Sequence, residues 1–245
     1  MRVVSWNIQH LEVYEAGADS SALLEAALAE LAPDILLLQE VDHLHERTGS
    51  VDQTGLISGL LPGLVGAAES RFVPTPPSAG NYGIAAVSRL PVREWRHWGL
   101  RGSPVGMWLT FMINGKPERF YCADHERALM TLRLDNGWLI ANMHASFVPG
   151  WAHLMVWHAA RWARAEARRT GSRLLFCGDL NLTSRLWLRM CGLRSVTDEV
   201  TFPAWAPTKQ IDHLCVEASD KAVVSHASVH QFGISDHRAV VIDID

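Results

Sequence analysis

The chain has 245 residues, 48% of them hydrophobic and 20% charged, with a formal net charge of -4 at pH 7. That composition excludes a disordered or collagenous chain, and the slightly acidic balance excludes recruitment of nucleic acid by a global positive field. Four cysteines, Cys122, Cys177, Cys191 and Cys215, show no C-x-x-C spacing, so neither a zinc ribbon nor a thioredoxin-like motif is expected.

RVVSWNI (2–8) is rich in β-branched and aromatic residues and reads as a strand. MRVVSWNIQH does not have the pattern of a signal peptide, and no window of 18 residues is apolar and free of charge, so the default expectation is a cytoplasmic protein without a spanning helix. Ser20 or Ser21 can cap a helix through LLEAALAEL, with Leu24, Leu28 and Leu31 on one face and Pro33 as its stop. DILLLQEVD (34–42) suits a buried strand, RFVPTPPSAGNY (71–82) a Pro- and Gly-rich loop, and GIAAVSRLPV (83–92) a strand. MWLTFMI and RFYCA flank Asn114-Gly115, and ALMTLRL and WLIANMH flank Asp135-Asn136-Gly137, which predicts two hairpins. The spacing predicts a helix over 151–169 with Trp151, Leu154, Met155 and Trp162 on one face. RLLFC (173–177) is a strand, Ser184 and Gly192 bracket a short helix, and IDHLCV (211–216) and HRAVVIDI (237–244) are closing strands. Hairpins alternate with a few crossover helices, so the expectation is one α/β domain over 1–245: a mixed sheet, or two packed together with helices outside.

Apolar runs end repeatedly on chemistry: VVSWN at Asn7, ILLLQE at Glu40, LIANMH at His144, LLFCGDLN at Asp179 and Asn181, QIDH at Asp212-His213 and ISDH at Asp236-His237. Strand ends at one rim of a sheet are where α/β folds place ligands. Taken singly these residues have ordinary readings: Asn7 a strand end, Glu40 a solvated terminus, His144 a core histidine, Asp179 and Asn181 a turn. Taken together they form an acidic cluster nearly free of Lys and Arg, which calls for a cation. The oxygen donors of Glu40, Asp236 and Asn7 suit Mg²⁺ or Mn²⁺, whereas zinc would favour more His and Cys. Mg²⁺ keeps waters and binds alongside substrate phosphate. The remaining residues then have phosphoryl chemistry to do: one carboxylate activates water, imidazoles donate to phosphate oxygens, and a second carboxylate holds an imidazole in one tautomer. Alternation sends His213 to the opposite side of its strand, so it reads as structural, and Ser235 is given no chemistry.

VSWNIQ, PDILLLQEVD, NYGIAAVSRLP, ANMHAS, FCGDLNL, IDHLCV and SDHRAVVIDI resemble, in this order, the motifs of the endonuclease/exonuclease/phosphatase superfamily, from residue 3 to residue 244. GDLN with a terminal SDH is the specific combination. The resemblance implies a four-layered DNase I-like sandwich, two packed mixed β-sheets flanked by helices, and metal-dependent hydrolysis of a phosphate ester. On the matching positions it implies that Asn7 and Glu40 bind metal, with Asp236 close to it. His144 touches the scissile phosphate, Asp179 positions and activates water, and Asn181 is its neighbouring phosphate ligand. His237 lies over the phosphate and Asp212 orients it. Arg127, in HERAL, reaches the phosphate if its strand ends on the same rim. The chain departs from the pattern at Gln9, where some nuclease members carry an acid, which speaks against a second strong metal site. Met143 and Ala145 flank His144 where Thr and Leu are commoner, and the tyrosine of abasic-site nucleases has no located counterpart.

The expected substrate is a phosphodiester, with DNA or RNA in view; no stable protein partner is implied and a monomer is expected. A phospholipid or small phosphate ester on the same site is the alternative, as is a non-catalytic binding module, although no catalytic position is lost. A zinc metallophosphoesterase would need a further His or Asp cluster after GD, which GDLNL lacks. Trp157, Arg161, Arg164 and Arg168 follow helical spacing and read first as a solvated face. REWRHWGLRGSPVGMW interleaves Arg with Trp, a pattern that can stack on bases, anchor at a membrane–water boundary or simply pack.

Overall fold

The structure, a computed structural model, describes residues 1–14, 17–61, 63, 68–76, 80–113, 116–221 and 224–245, the side chains of 111–113 apart. In chain order it runs β1 (Arg2–Asn7), α1 (Ser20–Leu31), β2 (Ile35–Asp42), α2 (Gln53–Leu60), β3 (Glu69–Pro74), β4 (Tyr82–Ser88) and β5 (Val92–Leu100). It continues through β6 (Met107–Ile113), β7 (Lys116–Cys122), β8 (Arg127–Leu134), β9 (Trp138–His144), α3 (Pro149–Thr170) and β10 (Arg173–Asp179). It closes with α4 (Arg185–Met190), β11 (Leu193–Ser195), β12 (Asp212–Glu217), β13 (Val224–His230) and β14 (Ala239–Ile244).

Two six-stranded sheets face each other, ordered β13-β14-β1-β2-β4-β3 and β11-β12-β10-β9-β8-β5, while β6 and β7 form a ribbon of their own. Each sheet is mixed: β1 pairs β2 in parallel and β14 antiparallel, and β10 pairs β9 in parallel and β12 antiparallel. Alternation within the central strands explains why they read as apolar on both faces. Val3, Ile35 and Leu37 meet Ile140, Leu175 and Cys177 between the sheets. Their neighbours Val4, Trp6, Leu36 and Leu38 turn outward onto Leu24 and Leu28 of α1 and Ile57 of α2. On the far side Leu139, Ala141, Leu174 and Phe176 lie under α3. The four-layered sandwich expected from the sequence is the observed architecture.

Several local expectations change. The cap of α1 is Asp19, whose side chain accepts from Ser21 N, rather than a serine. Part of the expected loop 71–82 is β3, and its residues 77–79 lie outside the described ones. The strand expected over 83–92 ends at Ser88, and Val92 opens β5, the edge strand of the second sheet. Both hairpins form, with Met107↔Cys122 and Leu129↔Met143 in register; the Asn114-Gly115 turn lies outside the described residues.

The buried face of α3 also differs from expectation. It is Ala152, Met155, Val156, Ala159, Ala160, Ala163 and Ala167, whereas Leu154 is 49% and Trp162 41% exposed. The reason is steric: small side chains let a helix settle close on a sheet, and an indole placed there would hold it off. Of the Trp157–Arg168 series, Arg161 lies over the Trp157 ring at 4.7 Å and Arg164 Nε donates to Glu217 Oε1 at 2.7 Å.

Gly178 shows why the GD motif needs its glycine. Its φ is +134°, and a Cβ there would sit 1.9 Å from the Met143 carbonyl oxygen, inside the parallel β9–β10 ladder. Gly178→Ala is therefore expected to destabilise the fold by about 3 kcal/mol or more, a fall in Tm of roughly 6–12 °C. Gly171→Ala, at φ +64° with open space around its Cβ, should cost only about 1 kcal/mol. Thermal unfolding of the two variants checks the contrast.

Candidate active site

Parallel pairing brings strand ends together. Asn7, the last residue of β1, lies opposite Gln39, next to Glu40 within β2, and Asp179 lies opposite His144 at the ends of β9 and β10. Asp212 opens the antiparallel β12 directly across from Asp179. Because the sheets stack face to face, these ends meet at one rim. Asn7 Nδ2 donates to Glu40 Oε1 and to Asp179 Oδ2, both at 3.0 Å. His144 Nε2 stands 3.5 Å from Asp179 Oδ2 and 4.0 Å from Glu40 Oε1. From the other side His237 Nε2 stands 3.7 Å from Asp179 Oδ2 and 3.8 Å from Asp236 Oδ1. Asn7, Glu40, His144, Asp179, Asp212, Asp236 and His237 thus converge. Asn181 borders them, its Nδ2 donating to Ala145 O at 3.2 Å, and Arg127 lies behind His144.

The backbone is bent to achieve this. Glu40 has φ +55°, where the β2–β4 register shifts between Leu38 and Val41. A bulge of this kind re-aims one side chain without disturbing the buried ladder on either side of it. Asn181 (φ +50°), Ser235 (φ +67°) and the run Gln9, His10, Leu11 (φ +41°, +48° and +65°) are also left-handed. Each costs a non-glycine residue about 1–2 kcal/mol, and such strain concentrates at functional sites.

The two imidazoles are wired differently. His144 Nδ1 lies 3.3 Å from Arg127 Nη1, and a guanidinium only donates, so Nδ1 accepts and the proton sits on Nε2, facing Asp179. Burial, then the Arg127 charge, hold His144 well below the usual imidazole range, so it stays neutral. Arg127 itself is held by Asp124 Oδ1 at 3.2 Å. His237 Nδ1 instead meets the Asp212 carboxylate at 2.9 Å. Burial works against its charge, but Asp212, Asp179 and Asp236 outweigh burial and lift it to about 10, so His237 is an imidazolium with Nε2–H toward Asp179 and Asp236. Burial pushes Asp179 up to about 7, with His237 opposing and Asp212 adding to the rise. Burial likewise pushes Asp236 up to about 6.

These carboxyls are short of positive charge. Ligand atoms of Glu40, His144 and Asp179 lie within 4.8 Å of one another, as do those of Asp179, Asp212 and His237. Carboxylates outnumber the single imidazole in each group, a donor set that suits a divalent cation, and neither group includes Asn7 or Asp236. Asn7 Oδ1 accepts from Gln9 N at 3.1 Å, so its amide presents NH₂ to the carboxylates; to serve as a ligand, the amide would turn over.

Other residues at the rim have roles that the sequence did not assign, because they act through loops and partners distant in the chain. The Gln9 amide oxygen accepts from Asp236 N at 3.0 Å and from the Tyr14 hydroxyl, so Gln9 is a brace. Ser235 Oγ donates to Asn7 O at 2.5 Å and accepts from His237 N at 3.0 Å. Thr201 Oγ1 donates to Asp212 Oδ2 at 2.5 Å. Tyr82 is close enough to feel Glu40 and Asp179, and burial with Glu40 holds its phenol well above the usual range. His213 points away, bonded to Leu182 O at 2.7 Å.

A model of the Endonuclease/Exonuclease/phosphatase family matches residues 4–237. Among curated proteins none matches. Among solved structures, the catalytic domain of human Nocturnin with bound sulfate is 20% identical, covering 100% of this chain and 94% of its own with a TM-score of 0.65. The 3′ phosphatase NExo from Neisseria, bound to a product DNA hairpin, is 16% identical over 100% of this chain and 99% of its own, TM-score 0.64. A mannosyl-6-phosphatase from Bacteroides thetaiotaomicron VPI-5482 is also 16% identical, over the same shares, TM-score 0.62. At these identities the likeness is one of fold. Among the described residues no helix is long and apolar enough to cross a membrane.

The charge pattern predicts a pH response of the metal-free protein. Asp179 and Asp236 have folded pKa values raised above the unfolded 3.8, so their contribution is most favourable at low pH and is lost as pH rises from about 4 toward 7. His237, raised from 6.5, contributes fully below 6.5 and is lost as pH rises through about 10. In EDTA, Asp179→Asn is expected to be more stable than the parent at pH 8 by on the order of 1–2 kcal/mol, the loss of its pairing with His237 included. The gain should shrink toward pH 5; a gain that grows toward pH 5 in thermal unfolding would refute this charge assignment.

Proposed function

The chain belongs to the endonuclease/exonuclease/phosphatase family, and from that premise we propose that it is a divalent-metal-dependent phosphodiesterase, using in-line attack by a water that Asp179 aligns. The observation that carries the reading is the placement of Asp179 between a neutral imidazole and an imidazolium, both presenting Nε2–H to one rim.

Each residue has a task set by its surroundings. Asp179 is buried, its pKa lifted to about 7, and held at Oδ1 by Asn181 N at 2.9 Å; Oδ2 accepts from Asn7 Nδ2 at 3.0 Å and keeps a second lone pair to take the proton of the attacking water. His237 donates from Nε2 to a phosphate oxygen as charge builds, and Asp212 keeps it charged and oriented. His144 donates from the opposite side without adding charge, its tautomer set by Arg127. Arg127 acts on the phosphate through His144, and Asn181 borders the same pocket. Glu40 and Asp236, with Asn7, would hold Mg²⁺ or Mn²⁺, which when bound supplies Lewis-acid charge to the phosphate oxygens.

Two neighbours of like fold are named as phosphatases, one of them with a DNA product, which supports a phosphate ester as substrate and keeps nucleic acid in view. A panel of single- and double-stranded DNA, RNA, phospholipid and bis-p-nitrophenyl phosphate, each with Mg²⁺ and with EDTA, tests the reading. At least one ester should be cleaved in Mg²⁺ and spared in EDTA. On that ester Asp179→Asn should lower kcat by about 10³-fold or more, and Asp212→Asn by about 10²-fold, with unchanged circular dichroism. Full turnover by Asp179→Asn, or turnover that persists in EDTA, would discard the mechanism.

A further inference from the structure

The β6 strand reads MWLTFMI, apolar apart from one threonine. A strand of that character is ordinarily buried on both faces. Yet β6 and β7 form a ribbon outside both sheets. On one face Trp108 stands opposite Tyr121, ring centroids 5.8 Å apart, and they are 57% and 55% exposed. On the other face Phe120, opposite Leu109, is 43% exposed. Soluble chains rarely expose rings of this size together on one ribbon.

The root of the ribbon is tied to the candidate active site. Asp124, just past β7, accepts from Ser103 N and from Ser146 Oγ, each at 2.7 Å, and pairs with the Arg127 that meets His144. At the root a groove of about 370 Å³ opens between β5 and α3, lined by Leu100, Arg101, Trp151, Leu154, Met155 and Trp162. Its outer wall is Leu154 and Trp162, the two residues that α3 keeps out of the core. Trp151 Nε1 donates to Arg101 O at 2.8 Å and holds the groove against the ribbon's root.

Charge narrows the choice of occupant. Arg101 lines the groove, and Lys116 and Arg119 lie on β7 with Glu118 between them; none of these three cations has a carboxylate partner among the described residues. Arg119 lies over the Trp108 ring at 5.8 Å. In a chain of net charge -4, these three cations against the single acid Glu118 make the edge locally cationic. A nucleic acid would use the arginines and one aromatic face but leave the apolar groove and the second face idle. A protein partner or second copy would cover the apolar faces but gives no reason for the three unpaired cations. A phospholipid surface meets all three features: acyl chains for the groove, the headgroup boundary for Trp and Tyr, and phosphates for Arg and Lys.

We propose that the β6–β7 ribbon and the groove at its root dock this protein on a phospholipid surface. The rings enter the headgroup boundary, an acyl chain reaches the groove, and Arg101, Lys116 and Arg119 meet headgroup phosphates. Joined to the phosphodiesterase reading, on which this consequence alone rests, the docked ribbon sets the catalytic rim beside headgroup esters.

Flotation with vesicles of phosphatidylcholine and phosphatidylglycerol tests the proposal. Using the full chain carrying Asp179→Asn keeps binding separate from turnover. The protein is expected to float with the vesicles, and adding Trp108→Ser with Tyr121→Ser should lower its partition coefficient about tenfold. Leu154→Ser with Trp162→Ser should weaken it severalfold, whereas Leu186→Ser, at the 70% exposed residue on α4, should leave it unchanged. An unaltered melting temperature shows that the ribbon variants are folded. Failure to float, or equal flotation of the ribbon variant, overturns the proposal. So does a dimer that the ribbon variant dissociates, or single-stranded DNA binding that the ribbon variant loses while vesicles go unbound. Flotation as expected from a protein that cleaves no ester would retire the catalytic reading and leave the docking surface standing.

Discussion

The site depends on amides that cross between the two sheets; at the rim Asn7 Nδ2 of the first sheet donates to Asp179 Oδ2 of the second at 3.0 Å. One layer deeper, Gln39 Nε2 donates to Asn142 Oδ1 at 2.8 Å, and Asn142 Nδ2 donates to the Leu38 and Ala85 carbonyls of the first sheet. These amides cross an otherwise apolar interface. Apolar side chains tolerate sliding, because their attraction has no direction, whereas a buried amide left unpaired costs about 1–3 kcal/mol. The polar bridges therefore set the position of one sheet on the other, and that position decides whether the carboxyls of β10 and β12 face those beside β1 and β2.

Once the sheets are in register, the protonation states follow from neighbours. Two histidines enter the same desolvated pocket with opposite outcomes. A guanidinium behind His144 can only donate to it and repels its charge, so His144 is neutral. A carboxylate behind His237 accepts from it and attracts its charge, so His237 is an imidazolium. Asp179, between them, is kept near neutrality because burial penalises its ionised form while His237 favours it. The pocket thus presents donors of two charges around one acceptor.

Precision at the rim is obtained by local strain rather than by regular strand geometry. The bulge at Glu40, the left-handed turn at Asn181 and the one at Ser235 each re-aim a side chain that alternation would have placed elsewhere. The well-packed layers beneath hold these turns in place. The second sheet's edge at β5 follows a different logic. There the chain leaves the sandwich to build a ribbon rooted in Asp124, and it leaves large side chains on α3 uncovered beside it.

The central strands, both hairpins, α1, α3 and α4 were legible in the sequence, because burial on one or two faces leaves a period that can be read directly. Edge elements were not. β13 is largely unburied, β3 carries a proline, and β5 mixes Arg with Trp, so none shows a clean alternation. The polar strand ends that converge were all visible as residues, since a carboxylate or imidazole closing an apolar run stands out from its neighbours. Sequence by itself determined which chemical groups exist and that most stand at or near strand ends; Glu40 lies instead at the bulge within β2. Only the tertiary structure decided which nitrogen of each imidazole faces the pocket, that Gln9, Thr201 and Ser235 brace it, and that the face of α3 toward the sheet is mostly alanine. Those outcomes depend on distances between residues far apart in the chain, and a one-dimensional pattern does not carry a distance.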